Sequence, residues 1–288
     1  MAYGTAATIQ EAGDSFYFLT TNMPTSKKPD VRSLFFANNS KPSTPVVFFN
    51  SILVTLFLIG CFYISIKSSN LHWDWLSIYE YKTLFFDGWK TTILICLCSL
   101  CTSTFIGVSL ALAKNCTFLP VQIFAKAYIE CIRGTPLLAQ IYIFFYIIAE
   151  NVNLNNRYIA GTLALSLFSG AYIAEIIRSG IESVGKSQLE SAKAIGLSRV
   201  QIYRYIVFPQ ATRAILPPLS GQFISLIKDS SLLSIIGLNE LTQNAKNVAS
   251  YTFSNFESYI ILAIGYLALT LPLSLWTRWL EKKVRYET

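Results

Sequence analysis

Side chains that could carry out covalent or metal chemistry are scarce in this sequence. It contains one histidine, His72, and six cysteines, and it lacks the G-x-x-x-x-G-K-[ST] segment that holds nucleotide phosphates. This composition argues against a histidine-rich metal site and against a Ser-His-Asp hydrolase. Cys96, Cys98 and Cys101 lie close together, but positions 96 and 98 of a helix point about 200° apart. We interpret these cysteines as small buried apolar side chains.

The most unusual charges are Lys228 and Asp229, which lie well inside an otherwise apolar segment. Adjacent residues of a helix diverge by about 100°, so these two side chains cannot simply neutralise each other side by side. A functional role is the usual explanation for a charge inside a membrane. A packing ion pair with Glu130, Arg133 or Glu175 is an equally good alternative, and the sequence leaves both open.

A second concentration of polar residues is the stretch 182–213. Within it, Ser187-Gln-Leu-Glu190 matches the S-x-x-E pattern of a capping box, and Gly196 can adopt the left-handed conformation that ends a helix. The side chains between them are small or recur at helical spacing: Leu189, Ser191, Ala192, Ala194 and Ile195. This first helix is either a surface decoration or a docking element for a cytoplasmic partner.

The same stretch predicts a second short helix. Ser198-Arg-Val-Gln201 repeats the capping pattern as S-x-x-Q. Val200, Tyr203 and Val207 form a stripe that we expect to pack against the rest of the molecule, and Pro209 is expected to end the helix. The pattern therefore predicts two capped helices separated by a sharp break.

The composition indicates where these elements are held. Of the 288 residues, 53% are hydrophobic and 14% are charged, whereas about a quarter of the residues in a soluble domain are charged. A helix needs about 20 apolar residues to cross the hydrocarbon core of a bilayer. The sequence thus predicts an all-α integral membrane protein with six transmembrane helices, at 46–66, 91–113, 127–149, 158–177, 214–238 and 258–277.

The distribution of Lys and Arg predicts the orientation. If the amino terminus is cytoplasmic, 17 of the 23 Lys and Arg residues fall on the inner side, so both termini are predicted inside. This asymmetry explains the net charge of +7 without a nucleic-acid partner. We expect a polar, poorly ordered cytoplasmic tail (1–45), an extra transmembrane helix (46–66), an outer loop (67–89) and a core (90–288) that contains the loop 182–213.

The inner loop also resembles a known signature. Glu190-Ser191-Ala192, Gly196 and Ile206-Val-Phe208-Pro209 are similar to the E-A-A-x3-G-x9-I-x-L-P pattern of permease subunits of bacterial ABC importers, with Ser191 in place of Ala and Phe208 in place of Leu. Segments 128–140, 171–181 and 228–232 resemble the Y-x-x-E-x-x-R-G-T-P-L-L-x-Q, A-Y-x-x-E-x-x-R-x-G-I and K-D-T-S-L segments of the polar amino-acid uptake branch.

This resemblance implies a type I permease core of five helices, preceded here by one additional amino-terminal helix, and a cytoplasmic coupling helix. Such permeases lie in the bacterial inner membrane and pair there as identical or different chains in contact with lipid. They receive solute from an extracytoplasmic amino-acid-binding protein. Two separate ATPase subunits use ATP and Mg, so the permease itself needs no cofactor and is not an enzyme. The coupling residues implied here are Ser187, Glu190, Ser191, Ala192, Ile195 and Gly196.

The resemblance further implies import of a polar amino acid, for example glutamine, histidine, arginine or glutamate, by alternating access. Candidate residues of the solute path are Thr135, Gln140, Lys228, Asp229, Ser230 and Ser231. An ion-coupled secondary transporter of small polar solutes is the alternative, and it would favour an inverted repeat with paired acids at mid-membrane. An intramembrane enzyme would need a nucleophile and a base, but His72 is expected in the outer loop.

Overall fold

The computed structural model describes residues 44–68 and 73–284, and this part of the chain is helical without a β-strand. The predicted all-α fold class is confirmed. The chain divides into two units, Met1–His72 and Trp73–Thr288. Nearly all of the predicted polar tail (1–45), and also His72, lie outside the described residues.

The described residues of the first unit form the helix α1 (Thr44–Ser68), which covers the predicted span 46–66. Nearly all of its described side chains are exposed, and by length and composition it can cross a membrane. The hydroxyls of Ser51 and Thr55 donate to carbonyls four residues earlier. These two hydroxyls are therefore satisfied within the helix, as a lipid environment requires.

The second unit is a helical bundle. Its helices are α2 (Trp75–Glu80), α3 (Lys82–Lys114), α4 (Leu119–Gly134), α5 (Leu137–Ile143, continued by a π-helical segment Phe144–Ala149), α6 (Arg157–Glu182), α7 (Lys186–Ala194), α8 (Arg199–Ile202, continued by a π-helical segment Tyr203–Val207), α9 (Phe208–Asp229, continued by a 3₁₀ segment Ser230–Ile236), α10 (Leu241–Thr252) and α11 (Asn255–Val284).

Helices α3 and α6 form the centre of this bundle, because each carries a glycine where the other carries an isoleucine. A Cβ at Gly107 would lie 2.5 Å from a methyl group of Ile173, and a Cβ at Gly170 would lie 2.7 Å from a methyl group of Ile106. Small residues at such positions allow helices to approach closely in a membrane. Gly170 of α6 therefore lies on the face that packs against α3.

The predicted third span, 127–149, is not one straight helix. Helices α4 and α5 are inclined by 114° to each other, with the bend at Thr135 and Pro136. The residue before a proline is disfavoured in the helical conformation, and Thr135 is indeed extended, with ψ of 150°. The proline therefore ends α4 and starts a new helix in another direction.

The predicted fifth span, 214–238, is interrupted as well. Helix α9 ends at Asp229, a 3₁₀ segment follows, and Gly237 has a left-handed conformation with φ of 66°. Lys228 and Asp229 thus lie at the junction of two helix types. The count of six spans is not confirmed: in the part of the chain that the structure describes, four helices can cross a membrane by length and composition, or five if α4 and α5 count as one bent span.

The predicted outer loop, 67–89, is shorter than expected because α2 and the first turns of α3 lie within it. Ile78 of α2 packs with Leu241, Ala245 and Val248 of α10. The backbone N–H of Asp74 donates to a carboxylate oxygen of Glu257 at 2.7 Å. We call this assembly of α2, α10 and the first turns of α11 the outer cap.

Candidate functional site

Helix α7 rests on an apolar cradle that fixes its position. Ala192 is 3% exposed and packs with Val184, Ile202, Val207 and Ala211. These four residues form the cradle. The amide of Gln210 in α9 donates to the side chain of Gln188 at 2.7 Å. One side of α7 is therefore packed against the cradle, and Ala192 is the residue of α7 that is buried in this contact.

The opposite side of α7 is exposed. Ser187, Glu190 and Ser191 all point away from the cradle, and Ile195 at the end of the helix is 77% exposed. No described residue forms a hydrogen bond or an ion pair with the Glu190 carboxylate. We call this set the coupling face.

Gly196 ends α7 in the way its sequence predicts. Its φ is 84°; its N–H donates to the carbonyl of Lys193 at 3.0 Å, and that of Leu197 donates to the carbonyl of Ala192 at 3.1 Å. These two bonds form a Schellman motif, for which a left-handed residue is required. The predicted sharp break is confirmed.

Only one of the two predicted capping boxes exists. Ser198 accepts from the N–H of Gln201, and the Gln201 side chain accepts from the N–H of Ser198 at 2.9 Å. The box predicted for Ser187 and Glu190 is wrong, because α7 begins at Lys186 and Ser187 lies inside its first turn. Glu190 is therefore not used as a cap.

The helix after the break also differs from the prediction. Pro209 does not end it: α8, its π-helical segment and α9 follow one another without interruption to Asp229. Pro209 has no N–H group to donate to a carbonyl of the preceding turn. The wider turn of the π-helical segment tolerates this missing hydrogen bond. Val200 and Tyr203 are exposed rather than packed, whereas Val207 packs as predicted, together with Ile202.

A cluster of charges ties three helices together beside the cradle. The carboxylate of Glu175 in α6 lies 3.2 Å from Nζ of Lys114 and 3.6 Å from a guanidinium nitrogen of Arg133, and it accepts from Nε of Arg178 at 3.0 Å. Arg178 also pairs with Glu182. A cavity of about 500 Å³ opens next to this cluster. In the described part of the chain no ion pair joins Lys228 or Asp229 to Glu130, Arg133 or Glu175, so the predicted packing ion pair is wrong.

The candidate path residues fall into two groups. Thr135 and Gln140 hold the bend between α4 and α5: the Gln140 amide donates to the carbonyl of Ile132 at 2.7 Å and to the hydroxyl of Thr135 at 2.7 Å. This contact satisfies carbonyls that the end of α4 leaves without a helical donor.

The second group lies where α9 becomes a 3₁₀ helix. Lys228 is exposed and Asp229 is half-buried, while Ser230 and Ser231 donate to the carbonyls of Ile227 and Lys228. No hydrogen bond or ion pair joins the two groups among the described residues. Their helices nevertheless share one apolar cluster, formed by Leu137, Ile141, Leu233 and Ile236.

The outer cap contains a buried polar network that the sequence alone did not predict. Glu240 is buried and accepts from the N–H groups of Thr242 and Gln243 and from the hydroxyl of Tyr266, at 2.8 to 2.9 Å. On α10, Nζ of Lys246 donates to the hydroxyl of Ser234 at 2.8 Å. The apolar residues 241, 245, 248 and 249 have helical spacing and could have revealed this helix.

Asp74 begins the outer cap as the N-cap of α2. Its carboxylate accepts from the N–H of Ser77 at 3.1 Å and from the hydroxyl of the same residue. Hydrogen bonds to the charged form, first from the Ser77 hydroxyl and then from its N–H, hold the pKa of Asp74 below its usual value. The first turn of the cap is thus anchored by a permanently charged group at neutral pH.

Comparison with known proteins places this architecture in a family. Residues 103–286 match the family described as "Binding-protein-dependent transport system inner membrane component". The chain is 36% identical over 207 residues to the probable glutamine ABC transporter permease protein GlnM of Bacillus subtilis, covering 72% of this chain and 96% of the relative. It is 34% identical over 217 residues to the glutamine transport system permease protein GlnP of Escherichia coli K12, covering 75% and 99%.

Solved structures agree with this assignment. A crystal structure of an amino acid ABC transporter with histidines superposes with a TM-score of 0.70 and 36% identity, covering 74% of this chain and all of that one. The MetNI methionine ABC transporter in an inward-facing conformation superposes with a TM-score of 0.57 at 14% identity, which shows the fold alone. The matched family, the relatives and the superposed fold together establish that the chain belongs to the inner membrane components of binding-protein-dependent transport systems, as a permease subunit of an ABC importer.

Proposed function

We propose that this chain imports a polar amino acid, with glutamine as the first candidate, and that a separate ATPase drives it through the coupling face. The single observation that carries the proposal is the geometry of α7. It is packed on one side, ended by a rigid Schellman motif and exposed on the other side with an unpaired carboxylate. The glutamine relatives support the choice of solute.

The coupling face suits a lever that another protein moves. An arginine of an ATPase subunit can pair with Glu190 in a charge-assisted hydrogen bond, while Ser191 and Ile195 offer a small polar and an apolar contact. The cradle joins α7 to α6 and α9, so a displacement of α7 reaches the bundle. ATP shifts the bundle between inward-facing and outward-facing states only if the closed ATPase pair binds one of them better.

The solute path is proposed to pass the two interrupted helices. Thr135 and Gln140 lie at one break, and Lys228, Asp229, Ser230 and Ser231 lie at the other. Broken helices expose backbone carbonyls and N–H groups at membrane depth, and such segments are tolerated where they line a cavity. We assign to Lys228 the binding of the solute carboxylate.

The proposed partners are two ATPase subunits, a second permease chain, which is either identical or different, and an extracytoplasmic amino-acid-binding protein. The bundle lies in the inner membrane with both termini in the cytoplasm, where the ATPase subunits contact Glu190. Domain assignments follow the same scheme: the core begins near residue 90, and α1 is an additional span. ATP and Mg are used by the partner, and the permease needs no cofactor.

One reconstitution experiment tests this proposal with two variants. Glu190→Arg places a cation against the expected arginine, so we expect co-purification with the ATPase subunit to fall about tenfold or more. Lys228→Gln leaves that association unchanged but lowers glutamine uptake into vesicles. Glu150→Arg, the same charge reversal at an exposed site at the other end of the bundle, is the matched control and should change neither.

Two results would contradict the proposal. The first is a Glu190→Arg complex that retains full ATPase association and solute-stimulated hydrolysis. The second is accumulation of solute by vesicles that contain this chain alone, under a proton or sodium gradient and without nucleotide, which is the behaviour of an ion-coupled transporter.

A further inference from the structure

A groove of about 570 Å³ lies beside the cradle, between the last turns of α6 and the helix that leaves the inner loop. Ile177 and Ile181 of α6 form one wall. The floor and the other wall come from the continuous helix α8–α9, with Val207, Ala211 and Ile215. These side chains present almost no hydrogen-bonding group, so the groove favours an apolar occupant.

The mouth of the groove is apolar as well, although it is open. Val200 is 76% exposed, Tyr203 is 60% exposed and Phe208 is 70% exposed, and all three line the groove. Contiguous apolar surface of this kind is unfavourable in water and marks a contact with another apolar body. These three side chains lie along one continuous helix, α8–α9, so its backbone sets their spacing.

Two cations stand at the same mouth. Arg199 and Arg204 both line the groove, and neither guanidinium forms an ion pair with a carboxylate in the described part of the chain. The guanidinium of Arg204 lies 5.8 Å from the ring centroid of Tyr205. Guanidinium groups favour a planar or tetrahedral oxyanion, because each offers two parallel donors.

The position of the groove indicates which oxyanion the two arginines bind. It begins at the end of α6, a helix that can cross a membrane, and the inner loop follows. With the proposed orientation, the arginines therefore lie at the height of inner-leaflet headgroups and the apolar walls lie at the height of acyl chains. Basic pockets at this height bind anionic headgroups.

We propose that this groove binds an anionic phospholipid of the inner leaflet, with one acyl chain between α6 and α9 and the phosphate on Arg199 and Arg204. The inference rests on the proposed inward position of the loop. An ATPase subunit is a poorer occupant, because the coupling face residues Glu190, Ser191 and Ile195 do not line the groove. A bound lipid at this place contacts both helices that carry the cradle, so it would adjust how firmly α7 is held.

The test uses the complex of permease and ATPase, purified in mild detergent from membranes that contain phosphatidylglycerol. Native mass spectrometry counts the phospholipids retained per permease. We expect about one phosphatidylglycerol per chain, and about tenfold lower occupancy in the double variant Arg199→Gln with Arg204→Gln, because two charge-assisted contacts are lost. Val200→Asp, an exposed position, should lower the occupancy too. Lys126→Gln, an exposed cation outside the groove, is the matched control.

A second measurement locates the lipid. Phosphatidylglycerol with a photoreactive acyl chain should label peptides within residues 177–181 or 200–215. Equal retention in the wild type and the double variant, labelling elsewhere, or release of the lipid by inorganic phosphate would overturn the proposal. The proposal would also be overturned if a second permease copy covers the groove and thereby prevents labelling by the photoreactive lipid. Because retention is counted without transport, these outcomes are independent of the Glu190→Arg result.

Discussion

The two ends of the second unit treat their polar side chains in opposite ways. In the outer cap, Glu240, Asn244 and Glu257 are buried, and each is hydrogen-bonded within the chain. On the coupling face, Ser187, Glu190 and Ser191 are exposed without a partner in the described chain. An acidic residue whose hydrogen bonds are met internally stabilises the fold, whereas one left exposed and unpaired is available to another protein.

The largest effect is expected in the outer cap. Glu240→Ala leaves the buried N–H groups of Thr242 and Gln243 without their side-chain acceptor and removes one of the two hydrogen-bond partners of the Tyr266 hydroxyl, which keeps the Thr242 hydroxyl. We expect the free energy of unfolding to fall by about 3 kcal/mol. The measurement is denaturant unfolding of the permease in detergent micelles. Glu240→Gln, which keeps one acceptor oxygen, should lose less.

The same change, glutamate to alanine, should cause no loss of stability at Glu190 of the coupling face. Glu190→Ala removes an exposed carboxylate with no internal partner, so the unfolding free energy should remain unchanged while the association with the ATPase falls. If Glu190→Ala destabilises the chain as much as Glu240→Ala does, the distinction between the two ends is wrong.

The break that follows the coupling face could be predicted from the sequence because its determinants are local. The left-handed Gly196 and the capping box at Ser198 depend on residues within a few positions of each other, and both are confirmed. The family followed from the motif that contains these residues.

The errors arose where tertiary packing decides between local alternatives. Ser187 has a capping pattern, but α7 begins at Lys186 with Gly185 as its N-cap, so Ser187 lies within the first turn. A proline usually ends a helix, but at Pro209 the helix continues directly from a π-helical segment. Glu240 was overlooked because its role depends on Tyr266, which is 26 positions away, and no local pattern contains both residues.

A smaller effect is expected at the end of α7. Gly196→Ala forces a residue with a Cβ into a left-handed conformation, which costs about 1–2 kcal/mol. We expect this loss in the unfolding free energy together with weaker coupling of hydrolysis to uptake, because the angle after α7 changes. Gly196→Asn is the control, since asparagine tolerates the left-handed region. Equal losses for alanine and asparagine would show that the conformation of this residue is not the cause.

The smallest effect concerns the cap of the following helix. Ser198→Ala removes the acceptor of the Gln201 N–H, and caps of this kind contribute about 1 kcal/mol. Here the bond is long, at 3.4 Å, and exposed, so water can replace it and we expect about 0.5 kcal/mol. Ser198→Thr should keep the cap. A loss as large as that of Glu240→Ala would mean that the inner loop, too, depends on internal hydrogen bonds, and the contrast between the two ends would then lie in exposure alone.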